Sequence, residues 1–397
     1  MEAALNTVYD SVIIRFSGEL WLKKVWTRKQ YEKRLARNLK QALKHHQVSY
    51  NELLRRHGRF YLKTGSAEDA AQTLTKVFGI SSLSPAIETS SNFDEVIEKS
   101  LFLADNVLKA GNSFAVQCKR VGKQGYSSAD VRKLLGQRVL DEFGEKLGVS
   151  VDLGNPDVVL GVEVRDEQAF IYSQVIDGAG GMPLGVQPKL VGLLSGGTDS
   201  AVGLWLVMKR GSPVVPVYFD NSPFTDDAAT ERALNVAKVL FEWAVGFPRK
   251  VYIVQHGENL KQIMETHRKY SCLLCKRMMY RVAERLAEQY RAEGIVTGEA
   301  IGEQASQTLT NLRVLSASVK EYPVHRPLLG FDKAETEALA RKIGTYEISG
   351  TKAASCGAVP YQPSTKAKLE DVLRAEEKLD IEAMVERSLE SIKVVEL

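Results

Sequence analysis

Two groups of residues in this 397-residue sequence have the types and spacing that chemistry needs. The first is Ser195-Gly196-Gly197-Thr198-Asp199-Ser200, a tight turn placed where a helix begins. Such a turn offers unpaired amides and a positive dipole end to an anion, and phosphate is the obvious guest. It is not a Walker A loop, because no Gly-Lys-Ser/Thr follows the glycines. The second group is Cys272-Leu273-Leu274-Cys275, ahead of an expected helix whose amides and dipole lower a thiol's pKa, with Cys356 far off in sequence as a third thiol. A buried pair beside an unrelated thiol, a redox pair, a tetrahedral zinc site with His267 as nearest fourth ligand, and an iron–sulfur cluster all fit this pattern. Clusters usually take four thiolates, so three would leave one iron open to bind and deliver sulfide.

The elements that position these groups follow from hydrophobic periodicity. Leu190, Val191, Leu193 and Leu194 read as a strand buried on both faces, and Val202, Trp205 and Leu206 recur at helical spacing up to the Lys209-Arg210-Gly211 stop. Val214–Phe219 then completes a βαβ unit. Further runs at Lys250–Val254 and Gly294–Gly298 alternate with helices at Ala228–Glu242, Lys276–Ala292 and Lys333–Ile343, which predicts an α/β fold with a doubly wound parallel sheet over 178–397. The sequence before Gly178–Gly185, a glycine-rich linker with Pro183, divides into two α+β modules. Residues 1–78 carry a strand at Val12–Phe16, a helix from Thr27 to Leu43, a strand at Arg59–Leu62 and a helix at Ala67–Phe78, a ferredoxin-like set. Residues 79–177 carry helices at Asn92–Ala110 and Ser128–Leu147 and strands at Ser113–Lys119, Val158–Val164 and Ala169–Val175.

Charge separates the modules. The net charge is +4, yet residues 1–64 hold 14 Lys/Arg against 5 Asp/Glu, leaving the remainder mildly acidic. A basic first module suggests a polyanionic partner, although a solvated basic helix gives the same count. Four cysteines are too few for a disulfide framework, and no run approaches the ~20 apolar residues that span a bilayer. The N-terminus has no basic region followed by an apolar core, so the expected compartment is the cytoplasm, without membrane attachment.

The loop resembles the pyrophosphate loop of the ATP pyrophosphatases. The resemblance becomes specific through Leu193–Ser200, Cys275-Lys276-Arg277-Met278-Met279, the run from Thr297 to Leu309, and Arg326-Pro327-Leu328-Leu329-Gly330-Phe331-Asp332-Lys333. Together these are similar to the tRNA 4-thiouridine synthetase family. Ile14-Arg15-Phe16-Ser17-Gly18-Glu19-Leu20 resembles that family's ferredoxin-like domain, and Gly154-Asn155-Pro156-Asp157 with Val162-Glu163-Val164-Arg165 resembles its THUMP domain.

The resemblance implies an ATP-dependent sulfurtransferase acting on uridine 8 of tRNA, adenylating the base and then replacing its oxygen with sulfur. Positioning and charge stabilisation then dominate catalysis. Ser195, Gly196, Gly197, Thr198 and Ser200 would cradle pyrophosphate, and Asp199 would hold Mg²⁺ or orient the phosphates. Leu193, Leu194, Tyr218 and Phe219 would line the adenosine side. Lys276, Gly298 and Gln307 fall on ATP-contact positions, and Asp332 and Lys333 lie near the reaction centre, although Lys333 also reads as a surface charge. Some members hold a [4Fe-4S]-type cluster on three cysteines, here Cys272, Cys275 and Cys356, fed by sulfide or a sulfur-donor protein. A homodimer acting across subunits is a further family expectation.

The better-known bacterial members carry a C-terminal rhodanese domain with a persulfide-bearing cysteine. Here the last cysteine is Cys356 and the sequence given ends in a helix-rich acidic stretch, so the expectation is a form without that domain. Cys118 is expected as a core thiol; Arg120, Lys123, Lys133 and the basic N-terminal helix are candidate phosphate contacts, and Tyr126 either stacks or packs. Two rivals remain: a related enzyme with an amine nucleophile, and a non-catalytic RNA-binding protein with a structural metal.

Overall fold

The computed structural model describes residues 8–56 and 58–397; the first seven residues of the expected 1–78 module, Glu2 among them, lie outside the described residues. The chain forms two compact units, 1–182 and 183–397.

The first unit runs β1 (Ser11–Phe16), α1 (Gly18–Trp21), α2 (Val25–His45), β2 (Glu52–Arg56), β3 (Arg59–Lys63), α3 (Ala67–Leu74), β4 (Ile80–Ser90), α4 (Phe93–Val107), β5 (Ser113–Val121), α5 (Ser128–Leu147), β6 (Ser150–Val151), β7 (Val158–Arg165), β8 (Gln168–Tyr172) and β9 (Ile176–Asp177). Its strands make a single sheet in the order β2-β3-β1-β4-β8-β7-β5-β6, with β9 on β4. The uninterrupted apolar run in β1 has a physical reason. Val12, Ile14 and Phe16 face the helices, packing with Leu35, Leu39 and Leu43 of α2, while Ile13 packs on the other face with Tyr61, Phe170 and Tyr172.

Two modules were expected here, but β4 joins them. Its first part pairs antiparallel with β1, and Ile87–Ser90 pair with β8. Pro85 and the serines at 81, 82 and 84 hide this strand from a periodicity reading. Buried Glu163 on β7 reinforces the junction, accepting Tyr61 Oη at 3.3 Å and ion-pairing with Arg59 at 2.7 Å and Arg165 at 3.1 Å. The glycines of the expected linker begin inside this unit: Gly178 and Gly180 donate backbone N–H groups to Ser81 and Ile80.

The second unit runs β10 (Leu190–Leu193), α6 (Thr198–Lys209), β11 (Val214–Asp220), α7 (Asp227–Glu242), β12 (Lys250–Gln255), α8 (Gly257–His267), α9 (Ser271–Tyr290), β13 (Ile295–Val296), α10 (Leu309–Ser316), β14 (Val324–His325), α11 (Lys333–Ile343), α12 (Tyr346–Ser349), α13 (Leu369–Glu376), α14 (Ile381–Glu390) and β15 (Lys393–Glu396). The sheet order is β14-β13-β10-β11-β12-β15. All pairings are parallel except that of β15, an antiparallel edge strand in a segment expected to be helical. Leu274, Met278 and Val282 of α9 cover one face over Val191, Val217, Val254 and Ile295. Trp205 of α6 is fully buried and meets Trp243 edge-on at 5.3 Å. Among the described residues no helix is long and apolar enough to cross a membrane.

One buried ionic cluster locks α9 to α13. Fully buried Arg277 donates to Glu376 at 2.8 and 2.9 Å, and Arg281 donates to the same carboxylate at 2.7 and 2.8 Å. Burial opposes ionisation of Glu376, but the bonds from Arg277 and Arg281 prevail and hold its carboxyl down at about 2. A lowered folded-state pKa means that this stabilisation is complete above the ordinary value of 4.5 and is lost as pH falls from there toward about 2. Glu376→Ala strands two guanidinium groups and is expected to cost about 3–5 kcal/mol in denaturant titrations at neutral pH. The difference from wild type should shrink below pH 4.5.

Candidate active site

The phosphate loop sits at the carboxyl end of β10, the position at which open parallel sheets bind ligands. Gly197 is the N-cap of α6, and Ser200 Oγ accepts from Ser195 N at 3.1 Å and donates to Gly197 O at 2.9 Å, bracing the turn from within. Gly196 has φ +76°, and a Cβ there would lie 2.8 Å from Ala233 N. A Cβ on Gly298 would lie 2.4 Å from the backbone of Asp199 and Ser200, so the Thr297–Glu299 segment can press against the loop only with glycine at 298.

A cavity of about 440 Å³ opens beside the loop. Leu193, Leu194, Ser195, Asp199, Ser200, Tyr218, Phe219, Lys276, Gly298, Gln307 and Cys356 line it. Gly196, Gly197 and Thr198 make the turn itself, while Cys272, Cys275 and Lys333 stand outside the wall. The structure therefore gathers residues that are up to 163 positions apart in sequence, Leu193 to Cys356, around one space of small-molecule size.

Two charge clusters border this cavity. Lys333 Nζ bonds Asp199 Oδ1 at 2.8 Å and Glu303 Oε1 at 3.2 Å, so it is a paired cation beside the loop and not a free surface charge. Asp332 instead caps α11, forming a capping box with Glu335. Burial and the neighbouring Asp199 raise the Glu303 carboxyl above its usual range. In the second cluster, buried Glu299 accepts from Lys276 Nζ at 3.1 Å, Arg326 Nε at 2.9 Å and the Tyr280 hydroxyl. Burial opposes the Glu299 charge, but Lys276, Tyr280 and Arg326 keep its pKa below normal. Lys276 is thereby held by one acceptor with donors left for the cavity.

The cysteines require two corrections. Cys272 and Cys275 lie inside the first turns of α9, which starts at Ser271 after a 3-10 turn at Arg268–Tyr270, and do not precede the helix. Their thiol pKa values are raised, not lowered, because burial dominates at both, with Cys356 adding to the rise at Cys272 and both Cys272 and Cys356 adding to it at Cys275. Cys356 packs against the same buried apolar cluster that holds Cys275. His267 is not the neighbouring imidazole: His256, fully buried and edge-on to Phe219, brings Nε2 to 3.4 Å from Cys275 Sγ. Burial pushes His256 down to about 4. The Cys356 loop is tied down by Ala354 N to Asp226 at 3.0 Å, Gly357 N to Phe224 O at 2.8 Å and Arg232 Nη1 to Thr351 O at 3.2 Å.

In the first unit, Cys118 is half-buried and its thiol is pushed up to about 11 by burial. Tyr126 packs: its ring meets Phe93 at 4.7 Å and its hydroxyl bonds Ser91 O at 2.7 Å. Lys123, Gln124 and Tyr126 border an open cleft, and α2 exposes Lys33, Arg37 and Lys40. Trp26 beside them is 72% exposed, a surface aromatic that hydropathy alone had no means to single out. The sequence reading also missed Glu299, Glu303, Tyr280, Arg326 and His256. Glu299 and Glu303 stand in the quoted 297–309 run, but nothing local distinguishes a charged hub from a solvated acid.

Comparison with known proteins agrees with this organisation. A family model described as thiamine biosynthesis protein (ThiI) matches residues 185–381, a THUMP domain model matches 90–174, and a ThiI ferredoxin-like domain model matches 11–84. A probable tRNA sulfurtransferase of Methanosarcina mazei is 41% identical over 97% of this chain and 95% of its own length. One from Caldanaerobacter subterraneus is 39% identical over 96% and 99%. Among solved structures, a 4-thiouridine synthetase in complex with RNA and ATP superposes with TM-score 0.86 at 34% identity, covering 98% of this chain and 99% of that one. PH1313 from Pyrococcus horikoshii superposes with TM-score 0.68 at 26% identity over 84% and 99%.

Proposed function

The chain belongs to the ThiI family of tRNA sulfurtransferases, and from that premise we propose that it converts uridine 8 of tRNA to 4-thiouridine at the expense of ATP. The observation that carries this reading is that the phosphate loop and Cys356 line one cavity, so the group that leaves and the sulfur that arrives meet at the same base. O4 of the uridine attacks the α-phosphate, the N3–H proton passes to solvent as the C4–N3 double bond forms, and pyrophosphate leaves. Hydrosulfide then adds at C4, AMP departs with the C–O electron pair, and the S–H proton passes to N3.

Loop amides with Ser195 and Ser200 hold the pyrophosphate, Lys276 and Lys333 meet its charge, and Leu193, Leu194, Tyr218 and Phe219 enclose the adenosine. Gly298 and Gln307 bound the same space. Asp199 and Glu303 offer the hard oxygen donors that suit Mg²⁺. Glu299→Gln retains shape but removes the charge that holds Lys276, so KM for ATP should rise about tenfold or more. An unchanged KM would remove Glu299 from the site.

Cys272, Cys275 and Cys356 supply three soft thiolates with no carboxylate among them, a donor set that suits an iron–sulfur cluster. The cluster would supply an iron position able to take up sulfide. Iron and acid-labile sulfide should both be found after anaerobic reconstitution; a colourless protein with one zinc would remove this part of the proposal. The domain ranges 1–78, 79–177 and 178–397, a cytoplasmic homodimer, and sulfide or a donor protein as sulfur source complete the reading on the strength of the family. Nucleoside analysis of tRNA incubated with enzyme, ATP, Mg²⁺ and sulfide tests the whole: 4-thiouridine is expected, and none at all would refute it.

A further inference from the structure

The nucleotide cavity has further polar lining residues to which the proposed reaction gives no role. Asn221, Thr225 and Arg232 line it, on the segment that leads from β11 into α7. Each carries a buried atom without a hydrogen-bond partner: Asn221 Oδ1, Thr225 Oγ1 and Arg232 Nε. Native proteins leave few buried polar atoms unpaired, because each costs the desolvation of a group that water would have satisfied. Three together along one wall call for a ligand that supplies the missing partners.

We infer that Asn221, Thr225 and Arg232 form the subsite for the acceptor base, a uracil ring swung out of the RNA; the assignment rests on the reading that the substrate is a tRNA uridine. A uracil edge offers O2 and O4 as acceptors on either side of the N3–H donor. The wall offers the complement, with Asn221 Oδ1 as acceptor for N3–H and the Thr225 hydroxyl and Arg232 Nε–H as donors. Enzymes that act on a base read its exposed edge in such a pocket.

Location favours the base over the adenine of ATP. The same segment anchors the loop of Cys356, through Phe224 O to Gly357 N, Asp226 to Ala354 N and Arg232 Nη1 to Thr351 O. A ring seated here lies between the phosphate loop and the sulfur side, where C4 must be for both half-reactions. Adenine has no need to approach sulfur, and the apolar Leu193, Leu194 and Phe219 suit its faces.

The test uses the full-length enzyme and its Asn221→Ala and Thr225→Val variants. ATP affinity is measured by calorimetry, kcat/KM is measured on tRNA with uridine at position 8, and binding is compared between that tRNA and one carrying 3-methyluridine there. Both variants should keep the ATP Kd within about twofold while kcat/KM for tRNA falls about 10- to 100-fold. The wild-type preference for uridine over 3-methyluridine should vanish in Asn221→Ala, an effect that mere loosening of the fold does not produce. ATP affinity falling in step with kcat/KM would give these atoms to adenine and overturn the assignment, as would an unaltered preference. Wild-type enzyme that forms no 4-thiouridine would overturn the parent reading and this one with it.

Discussion

Asp199→Ala should reduce tRNA-dependent pyrophosphate release by about 10²- to 10³-fold, with little loss of thermal stability. Asp199 stands in the first turn of α6, and its carboxylate takes the Lys333 ammonium at 2.8 Å while Glu303 takes it at 3.2 Å. Without Asp199 the cation is left to Glu303 and turns away from the phosphates, and one of the two oxygen donors for Mg²⁺ is gone. Interactions of this kind act on charge that develops in the transition state, and removing one preorganised group typically costs two to three powers of ten. Stability should hold because the pair is partly exposed, and exposed ion pairs contribute little to folding. Lys333→Ala should show the same loss by removing the cation itself. Pyrophosphate release at the wild-type rate in Asp199→Ala would deny the loop any part in adenylation.

Cys356→Ser should separate the two half-reactions. The hydroxyl keeps the size of the side chain, so the loop anchors at Thr351, Ala354 and Gly357 persist and adenylation proceeds. Serine is a far poorer nucleophile and soft-metal ligand than cysteine, so 4-thiouridine should fall by about 10³-fold or more while pyrophosphate still appears. Cys272→Ser and Cys275→Ser should behave alike, and Cys118→Ser, in the other unit, should thiolate normally. If Cys356→Ser loses both half-reactions together with thermal stability, the thiol is structural and the sulfur route lies elsewhere.

Where local signals are strong, the sequence was legible. Helix α5 runs Ser128–Leu147 as expected because Ser127 and Asp130 form a capping box and Gly148 closes it at φ +65°. Helix α11 likewise has Asp332 and Glu335 at one end and Gly344 at the other. The β10–loop–α6 unit announced itself through an apolar run broken by two glycines. What remained hidden is assembled from afar. Glu299 becomes a hub only when Lys276, Tyr280 and Arg326 converge on it, and His256 meets Cys275 only once β12 and α9 are packed. The thiol shifts went the other way for the same reason, since a helix dipole can be read locally and burial cannot. Short strands such as β14 and β15 hold too few residues for any period to emerge.

Strand β4 gives its first residues to one neighbour and its last to another. An element divided in this way makes the amino-terminal unit a single cooperative block. Amides on β1, β4 and β8 should exchange with solvent at a common free energy, and calorimetry should find one transition there instead of two. It also bears on inheritance: a gene fragment cut after residue 79 would carry β1 to an unpaired edge, so the ferredoxin-like and THUMP halves can be exchanged between relatives only together.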